Sequence, residues 1–386
     1  MPVKEVNVAL IRSRYTPFGG AERFVENAFA ALVERGVKLT LVTREWRGPS
    51  ERSVILCNPF YIGRLWRDWG FARSVKSKLR EENFSLVQSH ERIPGCDVFR
   101  AGDGVHAAWL EARKRTQGSI ARAASHFSLW HRYMVKAESK MFADPSLRAV
   151  ICISQMVAND VRRFFRVSEE KLHVIYNGVD CNGFSPQLRE AHRELIRKKL
   201  GIPSTAVTFL FVGSGFDRKG LKQLLTAFAL LANSEAHLVV VGKESKQRSY
   251  EKLAQSLAIG DRVHFCGPQP NVRPYYGAAD SFVLPTLYEP LSNAVLEALA
   301  SGLPVVTSTR CGAAELIDNG VNGFVCDALD VTALASHLTS LTDPEFRQRA
   351  GRAARASVLD LSFNNMSKKY VQLYEKLLAE NDRSQG

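Results

Sequence analysis

The chain has 386 residues, 45% of them hydrophobic, long enough for two domains that each bury their own core. Its formal net charge is +13, and its seven cysteines (Cys57, Cys96, Cys152, Cys181, Cys266, Cys311, Cys326) form no Cys-x-x-Cys pair, which argues against a metal centre or disulfide framework and fits a reducing cytoplasm. No run approaches the ~18 apolar residues of a spanning helix. Neither zinc-finger spacing nor an aromatic-basic ribonucleoprotein motif points to nucleic acid.

The first segment, Met1 to Ile11, alternates Val6, Val8 and Leu10 and reads as a strand rather than a secretory leader. The loop after it, Tyr15 to Phe24, carries Pro17-Phe18-Gly19-Gly20 and opens a helix. Further strands are expected near Val37–Thr43, Ser53–Cys57, Ser85–Ser89, Asp97–Ala101, Ala149–Ser154 and His173–Tyr176. Their apolar runs alternate little, which suggests strands covered on both faces, as in a parallel doubly wound sheet. Between two of them lies Ile93-Pro94-Gly95-Cys96-Asp97-Val98-Phe99-Arg100-Ala101-Gly102-Asp103. An aspartate between Gly102 and Gly104 is commonly a turn residue, so its chemistry stays open on the residues alone.

From Val105 to Phe142 the chain is basic and aromatic. Arg113, Lys114, Arg115, Arg122, Arg132, Lys136 and Lys140 outnumber Glu111 and Glu138, with Trp109, Phe127, Trp130, Tyr133 and Phe142 interleaved. Such a stretch suits an amphipathic segment on an anionic lipid surface; a buried aromatic face with a solvated basic one is the competing reading. Residues 1–185 hold 29 Lys and Arg against 19 Asp and Glu, the remainder 23 against 20, so the excess positive charge sits in the first half.

After Tyr176-Asn177-Gly178-Val179-Asp180, which reads as a linker, a polar stretch through Lys199 forms the first helix of the second half. Strands follow near Val207–Gly213, His237–Gly242, Val263–Cys266, Ser281–Leu284, Pro304–Thr309 and Gly323–Cys326. The first runs into Gly213-Ser214-Gly215-Phe216-Asp217-Arg218-Lys219-Gly220, a glycine-bearing loop with a basic pair that could approach an anion, although an ordinary strand-to-helix turn looks the same. The most informative stretch is Glu289-Pro290-Leu291-Ser292-Asn293 through Glu297 to Ala300-Ser301-Gly302-Leu303-Pro304. Two carboxylates stand around the start of an apolar helix that Ser292 or Asn293 can cap and Gly302 can stop. If fully helical, their separation would be about 12 Å, the span from hexose to ribose in a nucleotide-sugar. A final helix, Phe363–Asn381, is amphipathic through Tyr370, Leu373 and Leu377.

Glu-x7-Glu followed by Ala-Ser-Gly-Leu-Pro-Val-Val resembles the donor motif of retaining glycosyltransferases of family 4. The Gly-Gly loop and the Pro-Gly-x-Asp-Val segment resemble those of lipopolysaccharide core glucosyltransferases. The resemblance implies an α/β GT-B fold: two doubly wound Rossmann-like domains facing each other across a cleft, with the C-terminal helix crossing back to the first. Residues 1–177 with 363–386 would form the acceptor domain and 178–362 the donor domain. It also implies transfer of a hexose from a nucleotide diphosphate sugar, expected to be UDP-linked, to a lipopolysaccharide-core or related glycolipid acceptor.

By the same resemblance Gly19, Gly20, Arg218, Lys219, Leu291, Ser292, Asn293 and Glu297 would bind the donor, Glu297 on the ribose diol. Glu289 would hold the transferred sugar, and Asp103 would orient or deprotonate the acceptor hydroxyl, with His90 and His106 as alternatives. Gly267 to Val272 would frame the base. No Asp-x-Asp occurs, so neither a metal nor another cofactor is expected. The expected location is the inner face of the cytoplasmic membrane, held peripherally through residues 105–142. Pro290-Leu291-Ser292 departs from the small residues and glycine usual in relatives, so the donor sugar cannot be copied from them. A nucleotide-sugar epimerase on the same fold, or a non-catalytic binder, are the rival readings.

Overall fold

The computed structural model describes residues 6–14, 30–46, 53–118, 127–231 and 235–384, with the side chains of 381–384 left aside. The chain divides into two compact units, Met1–Gly178 with Phe363–Gly386, and Val179–Ser362.

Among the described residues of the first unit, seven parallel strands form one sheet in the order β3-β2-β1-β4-β5-β6-β7. They are β1 (Val6–Ile11), β2 (Val37–Thr43), β3 (Ser53–Leu56), β4 (Leu86–Ser89), β5 (Val98–Ala101), β6 (Ala149–Cys152) and β7 (Leu172–Val174). β5 and β6 are buried at every position, which is why their sequences are continuous apolar runs rather than alternations. The helices described are α1 (Gly63–Leu79), α2 (His106–Lys114), α3 (Leu129–Phe142) and α4 (Gln155–Phe164). The hydroxyl of Ser154 caps α4 by accepting from the Val157 N–H at 3.2 Å.

In the second unit six parallel strands run in the order β10-β9-β8-β11-β12-β13. They are β8 (Thr208–Val212), β9 (His237–Val241), β10 (Val263–Gly267), β11 (Ser281–Leu284), β12 (Val305–Ser308) and β13 (Gly323–Cys326). With them go α5 (Leu188–Leu200), α6 (Leu221–Ala229), α7 (Gln247–Ser256), α8 (Arg273–Ala278), α9 (Asn293–Ala300), α10 (Val331–Ser340) and α11 (Pro344–Ala356). In both sheets the order reverses direction beside the first strand of the unit, the topological switch point at whose carboxyl ends ligands of α/β sheets bind.

The last helix, α12 (Phe363–Ser384), belongs to the first unit, as its apolar stripe requires. Met366, Tyr370, Leu373, Tyr374 and Leu377 join the core formed by Val8, Leu10, Leu39, Leu41 and Ile151. Two polar bonds fix the docking: the Tyr374 hydroxyl donates to Gln88 Oε1 at 2.8 Å, and Arg100 Nε donates to the Tyr370 hydroxyl at 3.0 Å. Where the helix begins, a side chain at Gly178 would put its Cβ 2.7 Å from the backbone of Phe363, so only glycine lets the chain pass there.

Candidate functional site

In the second unit the carboxyl ends of β8, β11 and β12 bring Arg218, Lys219 and Glu289 together. The loop after β8 ends at Gly220, in the left-handed region at φ 76°, where a Cβ would lie 1.9 Å from the Pro285 carbonyl oxygen. Glycine there lets the basic loop press against the segment that follows β11. The Arg218 carbonyl accepts from the Leu287 N–H at 2.9 Å and from the Thr286 hydroxyl at 3.0 Å, which locks the two loops. On its other side Glu289 is clamped to the chain after β12: its N–H donates to the Arg310 carbonyl at 2.9 Å, and its carbonyl accepts from the Gly312 N–H at 2.8 Å.

The result is a three-charge cluster. One carboxylate oxygen of Glu289 accepts from Arg218 Nη1 at 2.6 Å and from Lys219 Nζ at 2.5 Å. Glu289 and Lys219 are nearly buried, while Arg218 reaches solvent. Burial alone would push the Glu289 carboxyl up, but the charges of Lys219 and then Arg218 more than offset it and hold the group below its usual range. Glu289 therefore stays ionised at neutral pH, a single carboxylate shared by two basic side chains. Two cations ordered by a carboxylate, one of them exposed, have the chemistry to receive an anion such as a diphosphate.

Four residues further on, α9 starts at Asn293, not at Glu289, so the span between the two glutamates is helical only in its second half. Glu289 sits in extended backbone bridged to Cys311, and the fully helical spacing does not apply. Ser292 is the N-cap, its hydroxyl accepting from the Val295 N–H at 3.4 Å. Leu291 and Ser292 are buried and Asn293 is half-buried, so what this end of α9 offers a ligand is the positive pole of its dipole and its first-turn backbone. One turn along, the half-buried Glu297 accepts a hydrogen bond at 2.8 Å from the hydroxyl of Tyr276 on α8. Tyr276 is a residue the sequence did not single out. A Tyr-Tyr pair inside a short helix reads as core, and its ring is indeed buried.

In the first unit Asp103 lies on the exposed turn after β5, closed by the Gly104 N–H on the Ala101 carbonyl at 3.2 Å. Its two histidine alternatives are buried. His90 lies against Gln88, and burial, with Arg100 and Arg12 adding to it, pushes it well below the ordinary histidine range. His106 faces the His131 ring at 3.1 Å, and burial, with Arg92 and His131 adding to it, lowers it to about 3. Both are held neutral, and neither offers an exposed ring to an acceptor. Glu91, which sequence reasoning also passed over, carries a carboxyl raised by burial and by the charge of Asp103, and it accepts from the Ser13 N–H at 2.9 Å. The turn is braced by a buried pair. Glu138 accepts from Arg92 Nε and from the His106 N–H, both at 2.9 Å, while Arg92 Nη2 donates to the Gly104 carbonyl at 3.0 Å. Glu138 thus faces the core, although it lies in a stretch rich in bases. Gly19 and Gly20 lie outside the described residues.

Two family profiles match the chain: Glycosyltransferase Family 4 over residues 18–182, and Glycosyl transferases group 1 over 192–357. Lipopolysaccharide glucosyltransferase WaaG of Escherichia coli (strain K12) is 28% identical over 324 residues, covering 82% of this chain and 84% of that protein. Lipopolysaccharide core biosynthesis glycosyltransferase LpsE of Rhizobium meliloti (strain 1021) is 27% identical over 92% of this chain and 95% of its own length. The crystal structure of WaaG, a glycosyltransferase involved in lipopolysaccharide biosynthesis, superposes with a TM-score of 0.82 at 25% identity, over 95% of this chain and 99% of WaaG. Two parallel-sheet Rossmann-like units, a helix returned to the first, and matches that run through both units lead to one conclusion: the chain belongs to the family 4 glycosyltransferases, has their GT-B fold, and is an enzyme related to the lipopolysaccharide core glucosyltransferases.

Proposed function

We propose that the protein moves a hexose from a UDP-sugar to a lipopolysaccharide-core or related glycolipid acceptor, with retention of anomeric configuration and without a metal. The observation that carries this reading is the Arg218–Lys219–Glu289 cluster beside the positive end of α9. Charge develops on the diphosphate as the glycosidic bond breaks, and the two cations would stabilise it where a divalent ion does so in other transferases. Glu289 has both cations on one carboxylate oxygen, an environment that lowers its nucleophilicity and suits binding of sugar hydroxyls better than a covalent intermediate. The reaction would then run on one face of the sugar: the leaving diphosphate accepts the proton of the acceptor hydroxyl as that hydroxyl bonds to the anomeric carbon. Asp103, exposed on its braced turn, would orient the acceptor, with Glu91 beside it. Leu291, Ser292 and Asn293 would offer backbone N–H groups to phosphate or sugar, Gly19 and Gly20 would approach the donor, and residues 267–272 would frame the base.

Binding of UDP, GDP and ADP, each in excess EDTA, tests the donor assignment. UDP is expected to bind tightly in EDTA and to bind Glu297→Ala weakly; binding only after a divalent ion is added would sink the metal-independent reading. Tyr276→Phe removes the hydroxyl that orients Glu297. Loss of one hydrogen bond to a charged group, about 1.5 kcal/mol, should weaken UDP roughly tenfold. Calorimetric titration in EDTA checks this, and an unchanged Kd would separate Tyr276 from the ribose site.

Among the described residues no helix is long and apolar enough to cross a membrane. A glycolipid acceptor therefore requires the enzyme to work at the membrane surface, and we place it peripherally at the cytoplasmic face.

A further inference from the structure

In the first unit the exposed apolar surface is not confined to the stretch that the sequence pointed to. In the basic aromatic stretch 105–142, the rings of His106, Trp109, Trp130 and His131 pack on one another, and Met141, Phe142 and Glu138 are buried. Those four rings are thus already engaged within the protein, while Phe127, just before α3, is 75% exposed. A larger group of exposed apolar side chains stands around the start of α1: Phe60 is 76% exposed, Ile62 69%, Trp66 44% and Trp69 48%, with Leu65 between them.

Helix α1 does not need these residues for its own packing. Gly70, Phe71 and Val75 form its inward face, and Phe71 and Val75 join Ile11, Val42 and Cys57 in a core cluster. Ile62, Trp66, Trp69, Arg73, Lys76 and Arg80 recur at helical spacing along the opposite, exposed face. That face is apolar in its first half and basic in its second. Across residues 57–80, Arg64, Arg67, Arg73, Lys76, Lys78 and Arg80 face a single acid, Asp68. Asp68 is occupied by Arg67 at 2.7 Å and by the Trp130 indole N–H at 2.8 Å. The second of these bonds ties α1 to α3, whose Leu129 is exposed as well. Edge contact between Phe60 and Trp66, centroids 5.9 Å apart, holds the loop before α1 against the helix, so the apolar tips form one patch.

We propose that this face of α1, with Phe60 and Ile62 before it, is the surface on which the enzyme lies on an anionic lipid bilayer. Indoles and the Phe60 and Ile62 side chains enter the headgroup–acyl boundary, and the arginines and lysines behind them meet anionic headgroups. Two neighbouring tryptophans rimmed by cations suit a bilayer interface, which offers each half its partner. The inference rests on the peripheral-membrane part of the proposed function and names the residues that would carry it out.

The test is sedimentation with vesicles of equimolar phosphatidylglycerol and phosphatidylcholine, and with phosphatidylcholine alone. Wild-type protein, Trp66→Ser/Trp69→Ser and Arg113→Gln/Lys114→Gln/Arg115→Gln are compared. The tryptophan double variant is expected to lose at least about tenfold in partitioning to the anionic vesicles, given the apolar area of two indoles. UDP binding, proposed for the other unit, should be retained, and an unchanged far-ultraviolet circular dichroism spectrum and melting curve would show that the mutated unit is folded. In wild type the tryptophan emission should shift to the blue on adding vesicles, and Trp66→Phe/Trp69→Phe should abolish most of that shift. Wild-type binding that Trp66→Ser/Trp69→Ser leaves intact, while the Arg113-Lys114-Arg115 variant loses it, overturns this surface and keeps the membrane reading. Absence of wild-type binding to either vesicle overturns both. A change from dimer to monomer in the double variant, with vesicle binding unchanged, would assign the patch to a second copy of the chain and overturn the proposal.

Discussion

Glu289→Gln is expected to lower kcat by roughly 10²–10³-fold while leaving UDP binding as tight as in wild type or tighter. The two effects would separate because, at the proposed donor site, the carboxylate and the diphosphate would compete for the same cations. In the unliganded cluster Glu289 neutralises one of the two charges on Arg218 and Lys219. Glutamine keeps the shape but removes that charge, so the cations attract a diphosphate more strongly. What it cannot do is hold Arg218 and Lys219 in the geometry that the carboxylate sets, or offer its negative charge to the sugar as positive character develops at the anomeric carbon. A fall in kcat with an unchanged or lower KM for the donor is the signature. The acid side of the pH profile gives a second check. Because the carboxyl is held below its ordinary value, its contribution is complete above about 4.5, the unperturbed value, and is lost only as pH falls through the lower folded value. Any acid limb between pH 5 and 8 must then come from another group and should persist in Glu289→Gln. Near-wild-type turnover in the variant would remove Glu289 from the mechanism.

The strands were legible because a parallel sheet covered on both faces leaves short continuous apolar runs. Thirteen were expected and each has a counterpart, with ends displaced by a residue or two where the chain turns into its loops, as at Ala149–Cys152 and Leu172–Val174. The C-terminal helix was legible as an amphipathic stripe, and its return to the first unit came from resemblance, since spacing does not say what a stripe packs on. Pairing across distance was not legible. Arg218 and Glu289 are 71 positions apart, and nothing in either motif states that they share a bond. The position of Glu289 before the helix, rather than in it, depends on the Arg310–Gly312 segment, which carried no signal of its own. Trp109 and Trp130 looked like membrane-facing residues because they alternate with basic ones, yet interleaving gives no inside or outside. The exposed indoles of α1 escaped notice for the converse reason. A helix with apolar residues on two faces has a weak periodic signal, and only packing distinguishes the face that Phe71 and Val75 bury.

Asp280→Ala is expected to cost the second unit about 3–5 kcal/mol, because it strands buried charge. Asp280 precedes β11, a position that looked like nothing more than a strand start. Its carboxylate accepts from Arg197 Nη2 at 2.6 Å, Arg193 Nη1 at 2.9 Å and Arg189 Nη1 at 3.1 Å, and from the Thr208 N–H at 2.9 Å. The Arg197 side chain is 2% exposed, and its other donors go to the carbonyls of Pro203, Ser204, Ala206 and Ala278. Those carbonyls satisfy its hydrogen bonds but not its charge. With a slope of a few degrees per kcal/mol for a domain of this size, the unit's melting temperature should drop on the order of 10 °C. Burial pushes the Asp280 carboxyl up, but Arg197 and then Arg193 outweigh it and hold the group below its ordinary value of 3.8. The stabilisation is therefore fully present above that value and is lost as pH falls through the lower folded one. Asp280→Asn should flatten this acid transition while keeping part of the hydrogen bonding. Burial lowers Arg193 and Arg197 as well, yet a guanidinium keeps its proton throughout this range, so Asp280 alone sets the pH window. Asp280 and Glu289 flank opposite ends of the same strand, which makes the two substitutions reciprocal controls. Asp280→Ala should melt early but transfer sugar at a near-normal rate in the cold, whereas Glu289→Gln should fail to transfer at any temperature at which it is folded. An early-melting variant that is also slow in the cold would mean that the Arg218–Lys219–Glu289 cluster depends on the packing at the far end of β11, so that scaffold and site are not separable.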